Sequence, residues 1–119
     1  MHAILIVSHG SHSPKTKFEV QSLVDSLKMR KAADLIELAF LEIEKPSIPD
    51  GIDSLATQGA QSIRILLNFL NSGRHVNVDI PEIVKNAQRK YPAVKFSISP
   101  PVGQHPRIVE LFADLIKDA

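Results

Sequence analysis

Three side chains carry most of the chemistry this sequence can offer. His9 follows the run "AILIVS", Glu42 ends "LIELAFLE", and His75 lies in "NSGRHVNVDIP". Two neutral imidazoles and a carboxylate suit Co²⁺, Ni²⁺, Fe²⁺ or Zn²⁺, and three protein ligands leave coordination positions open for a reaction partner. The same groups accept protons near neutral pH. The chain has no cysteine, which excludes disulfides, thiolate metal sites, iron–sulfur ligation and a cysteine nucleophile together. The other histidines read differently. His2 opens a strand at the opposite edge and is structural. His12, between Ser11 and Ser13, is either a helix-start residue or an anion contact. His105, at the start of the fourth helix, either lies on the same edge as a further site residue or only completes the turn "GQHP".

Four short apolar runs, Ala3 to Val7, Leu35 to Leu41, Ile63 to Leu70 and Val94 to Ile98, read as buried strands. Each is followed by a segment with apolar residues at helical spacing. These are Val20, Leu23, Val24 and Leu27; then Ile52, Leu55 and Ala56, closing on Gly59 as a C-cap; then Ile80, Ile83, Val84 and Ala87; and finally Ile108, Leu111, Phe112 and Leu115. Pro14, Pro49, Pro81 and Pro106 are each expected in a first helical turn, where the missing N–H costs nothing. "SIPD" and "DIPE" place a capping oxygen three residues before a carboxylate, the capping-box arrangement.

Alternating strands and helices predict an α/β fold with a parallel sheet and right-handed crossovers. The first strand is apolar throughout, as a central strand should be, and the fourth alternates, as an edge strand does. The expected architecture is a four-stranded parallel sheet of order 2-1-3-4 flanked by helices, a flavodoxin-like half. It forms a single domain over residues 1–119, a length that suits one core. In such sheets ligands bind beyond the carboxyl ends of the strands, at the switch between strands 1 and 3. His9, Glu42 and His75 all follow strand ends on that edge.

Composition narrows the function classes. Apolar content of 44% with mixed charge is globular, and a net charge of +1 gives no footprint for nucleic acid. The basic clusters at Lys28, Arg30 and Lys31 and at Arg89 and Lys90 fall where helices should end, complementing the helix dipole. The opening apolar run is too short for a signal h-region or a membrane span, so a cytoplasmic protein with no membrane partner is expected.

With these residues in place, the sequence resembles the small class II chelatases of the CbiX and SirB type, which insert a divalent metal into sirohydrochlorin or a related tetrapyrrole. The matching elements are "SHGS", "AFLE" with "KPSIPD", "SGRHVNVDIP" and "PPVGQHP", in order along nearly the whole chain. The resemblance implies that His9 and His75 are the catalytic, metal-handling histidines and Glu42 the third metal contact. It implies a homodimer that rebuilds a bilobal cleft, a role in cobalamin or sirohaem biosynthesis, and a divalent metal (Co²⁺, with Fe²⁺ or Ni²⁺ as alternatives) as substrate, with no organic cofactor. The chain departs from the family pattern at His12, where a basic residue is common, at Leu67-Asn68-Phe69, where Pro-Leu-Phe is usual, and at Asn71. These departures concern contacts to the ring, not the metal donors.

Metal insertion needs no redox or covalent step. The donors hold a partly dehydrated cation above the ring, and a nearby base takes the two pyrrole protons. Sirohydrochlorin is rich in carboxylates, so Ser11, His12, Lys15 and Arg74 are candidate anion contacts. Two other readings compete: a non-catalytic metal or tetrapyrrole carrier on the same scaffold, and a histidine phosphatase. The second fits less well, because Ser8 stands where the Arg-His-Gly motif of those enzymes has arginine.

Overall fold

The computed structural model describes residues 1–118. Its elements run β1 (His2–Ser8), α1 (Pro14–Met29), β2 (Leu35–Phe40), α2 (Ile48–Thr57), β3 (Ser62–Leu67), α3 (Ile80–Lys90), β4 (Lys95–Pro101) and α4 (Ile108–Lys117). The strands form one parallel sheet in the order β2-β1-β3-β4. That is the order expected from the uniformly apolar first strand and the alternating fourth.

Strand alternation sorts the core onto two faces. Ala3, Leu5 and Val7 of β1 join Ile63, Ile65 and Leu67 of β3 in a cluster sealed by Ile48, Ile52 and Leu55 of α2 and by Ile80 and Val84 of α3. On the other face Ile6, Ile36, Leu38 and Phe40 meet Val20 and Val24 of α1. Ile65 and Leu55 are fully buried, and truncating either to alanine is expected to cost about 2–5 kcal/mol.

Several local expectations hold. Pro14, Pro49 and Pro81 lie in first helical turns, Ser47 Oγ accepts the Asp50 N–H at 3.2 Å, and Gly59, at φ +97°, follows the end of α2. Others are corrected. The third strand ends at Leu67, three residues early, because its chain leaves the ladder after Asn68 donates to Val7 O at 2.9 Å. Between β3 and β4 the register slips by one residue, and Ser99 Oγ accepts the Leu67 N–H at 3.0 Å, at the point where the neighbouring Pro100 carries no donor. Pro106 precedes the N-cap Arg107 and lies outside α4, which carries Ile108, Leu111, Phe112 and Leu115 as expected. "DIPE" is not a capping box either. The helix runs back through a π turn, His75–Asp79, so Asp79 has helical dihedrals and its side chain caps nothing.

Candidate metal-handling site

The carboxyl edge of the sheet is built by extending the parallel ladder past the strands. Leu41 donates to Ser8 O at 2.9 Å and Glu42 to His9 O at 3.1 Å, so the loops after β1 and β2 stay paired for two further residues. Gly10 makes this possible. It adopts φ +105°, and a Cβ there would stand 1.9 Å from the Glu42 carbonyl oxygen. The loop after β2 is held from the other side by Lys17, which donates to Lys45 O at 2.7 Å, and by Glu44, which accepts the Ser11 N–H at 2.8 Å.

Backbone pairing brings the His9 and Glu42 side chains together, with Nε2 to Oε1 at 2.7 Å. His75 arrives from the far side of the switch point at the first residue of the π turn, closed by Ile80 N–H to His75 O. Its ring centroid lies 5.1 Å from that of His9, the planes inclined at 48°. One donor atom from each of His9, Glu42 and His75 falls within 4.8 Å of the other two, the single such trio among the described residues. The side chains are 44%, 53% and 46% exposed, so the trio sits on an open surface that a large planar partner can approach.

Each histidine is oriented through its second ring nitrogen. His9 Nδ1 lies 3.1 Å from Gly10 O, and His75 Nδ1 lies 2.7 Å from Asp79 Oδ2. Both contacts hold the ring by Nδ1, and for His9 this sets Nε2 against Glu42, the arrangement by which metal-ligating histidines are commonly fixed in tautomer and ring angle. Asp79 is hidden by the helix-start reading of "DIPE", although its i, i+4 spacing from His75 is a signal for this pair. Sequence reading passes over Ser8 as well. It is the one buried polar residue among the described residues, and its Oγ accepts from Asn68 Nδ2 at 3.0 Å, tying the end of β1 to that of β3.

The remaining candidates fall outside the trio. Ser11 spends its hydroxyl accepting the Ser13 N–H at 3.0 Å. His12 and Lys15 are exposed beside the start of α1, and Arg74 is exposed immediately before His75. His2 lies at the opposite edge with Nδ1 2.7 Å from Ser62 Oγ, and His105 Nδ1 accepts the Arg107 N–H at 3.1 Å. No described helix is long and apolar enough to cross a membrane.

Chemically, the trio can bind a divalent cation with open coordination positions and take up protons at the same place. Known proteins share this frame. The chain is 31% identical over 116 residues to the sirohydrochlorin ferrochelatase of Bacillus subtilis, covering 98% of this chain and 44% of that one. It is 28% identical over 118 residues to the sirohydrochlorin cobaltochelatase of Sulfurisphaera tokodaii, covering 99% of this chain and 93% of that one. The crystal structure of the sirohydrochlorin chelatase SirB from Bacillus subtilis subspecies spizizenii, in complex with cobalt, superimposes with a TM-score of 0.89 at 32% identity, over 98% of this chain and 50% of that chain. The chain thus spans about half the length of the Bacillus relatives. The CbiX family model matches residues 3–119, and the chain belongs to the CbiX family.

Proposed function

We propose that the chain is a chelatase that inserts Co²⁺ into sirohydrochlorin, with Fe²⁺ the second candidate metal, and that it works as a pair of copies. The observation that carries the reading is the His9–Glu42–His75 trio, with donor atoms within 4.8 Å on an open surface at the carboxyl edge. The cobalt-bound SirB structure and the cobaltochelatase of similar length support Co²⁺; the ferrochelatase relative supports Fe²⁺.

The residues divide the work. His75 Nε2 and His9 Nε2 face the cation while their Nδ1 atoms are held by Asp79 and Gly10 O. His9 Nε2 and Glu42 Oε1 lie 2.7 Å apart, so a cation that takes both donors replaces their contact with each other. As the metal passes to the four ring nitrogens, two pyrrole protons leave, and the freed His9–Glu42 pair is placed to take them. Imidazole and carboxylate donors without thiolate hold the cation loosely enough for transfer. A single copy offers one surface to a flat ring, and the second copy supplies the opposing wall.

The test is the absorption spectrum of sirohydrochlorin with Co²⁺, Fe²⁺ or Ni²⁺ in anaerobic buffer, with the protein, with its His75→Ala variant, and without protein. Acceleration lost in the variant is the expected result, and the fastest metal identifies the cation. Rates equal to the protein-free control for every metal sink the enzyme reading; metal binding without acceleration would identify a carrier.

A further inference from the structure

The backbone is strained one residue past Glu42. Ile43 adopts φ +71°, and Glu44 N–H donates to Glu42 O at 2.8 Å, closing a three-residue turn of the rare positive-φ kind. A positive φ crowds Cβ against a carbonyl oxygen, most of all for a β-branched side chain. Glycine suits such a turn, and the chain has isoleucine there. Packing alone does not hold it, since Ile43 is 49% exposed.

Hydrogen bonds on both sides do. Upstream, Glu42 N–H donates to His9 O at 3.1 Å. Downstream, Lys17 Nζ donates to Lys45 O at 2.7 Å, and Phe40 N–H donates to Pro46 O at 2.8 Å. From within the turn one side chain reaches the neighbouring loop. Half-buried Glu44 accepts the Ser11 N–H on Oε1 at 2.8 Å, two residues after His9. Its carboxylate forms no ion pair among the described residues.

With the chain anchored on either side, a change at Ile43 must be absorbed at Glu42. If Ile43 relaxed to a negative φ, the peptide joining it to Glu42 would have to rotate, and the direction in which the Glu42 side chain leaves the backbone would turn with it. The 2.7 Å contact of Glu42 Oε1 with His9 Nε2 tolerates little of that.

We infer that Glu44 is a positioning residue of the metal trio: latched to the Ser11 N–H, it holds Ile43 at positive φ and so aims the Glu42 carboxylate at His9. The inference rests on the metal-handling reading of His9, Glu42 and His75. Glu44 lies outside the trio and acts through Glu42.

The test is Co²⁺ titration by visible absorption on the full chain and on Glu44→Ala, Glu44→Gln and Ile43→Gly/Glu44→Ala, with far-UV circular dichroism as the folding control. Glu44→Ala is expected to raise the dissociation constant about tenfold, as loss of an outer residue does. Glu44→Gln should recover most of this, because an amide oxygen still accepts the Ser11 N–H. Ile43→Gly/Glu44→Ala should recover it as well, because glycine takes the turn without the latch. In a Glu42→Ala background, where the latch has nothing to aim, adding Glu44→Ala should change nothing further. An affinity unchanged by Glu44→Ala, or an equal loss in the Glu42→Ala background, overturns the inference. So does Glu44→Gln binding as weakly as Glu44→Ala, which would assign the effect to charge, or a glycine double variant that recovers nothing. Amide exchange in the metal-free chain separates the latch from the chemistry. Ser11 N–H should be protected in the parent and in Glu44→Gln, and should lose that protection in Glu44→Ala. This pattern supports the latch even where no variant binds Co²⁺, a result that would instead sink the metal reading of the trio; an unprotected Ser11 N–H in the parent overturns the latch itself.

Discussion

His75 meets Asp79 through Nδ1 at 2.7 Å, and this contact should govern how well its Nε2 holds a cation. Removing such an outer carboxylate typically costs 10–100-fold in metal affinity. Asp79→Ala is therefore expected to raise the Co²⁺ dissociation constant by about 10–100-fold, and Asp79→Asn by less, because an amide oxygen still accepts from Nδ1. Titration followed by the visible absorption of bound Co²⁺ measures both, and equal affinities in all three proteins would remove Asp79 from the site. Gly10 supports the other histidine. Gly10→Ala combines a positive φ with a 1.9 Å approach to the Glu42 carbonyl, and is expected to cost about 2–4 kcal/mol, read as a lowered urea midpoint. The trio itself was legible in the sequence because strand ends in a parallel sheet converge on one edge. Asp79 was not, because an aspartate two residues before a proline also describes a helix cap, and only the continuous π turn distinguishes the two.

Among the elements, α2 and α3 are joined outside the core by one polar cluster. Tyr91 OH donates to Asp53 Oδ1 at 2.5 Å and Lys90 Nζ donates to the same oxygen at 3.0 Å. The Tyr91 hydrogen bond, then Lys90, holds the Asp53 carboxyl below its ordinary range, while Asp53 raises both the Lys90 ammonium and the Tyr91 phenol. A depressed carboxyl contributes stability above its unfolded value, ~4, and loses it as pH falls through the lower folded value. The raised lysine and tyrosine contribute below ~10 and lose it as pH rises through their folded values. Asp53→Asn should thus lower Tm most between about pH 5 and 9, with the gap from the parent narrowing toward both extremes. The effect is small, since the pair is well exposed and solvent screens it; a gap constant from pH 2 to 11 would remove the cluster from the stability of the α2–α3 contact. The sequence pattern located these helices and the sheet order through periodicity and proline placement. It located α4 as well and erred there only on Pro106, which precedes the N-cap Arg107; the apolar stripe states that a helix face must be covered, without stating what covers it.

For the whole molecule, the site and the scaffold make different demands on a second copy. The His9–Glu42–His75 trio is complete within one chain, because backbone pairing after β1 and β2 and the π turn before α3 assemble it with no outside residue. Cation binding per chain should therefore be independent of protein concentration. Under the proposed function ring binding should not be, since one open surface holds a flat tetrapyrrole far less firmly than two opposed walls, and the proposed second wall is lost when copies separate. On dilution, the insertion rate per chain is expected to fall along the same curve as the dimer fraction, while Co²⁺ affinity per chain stays level. Parallel loss of both properties on dilution would mean that the trio itself needs the partner, and a rate per chain indifferent to dilution while dimers dissociate would mean that one half-length chain suffices for the reaction.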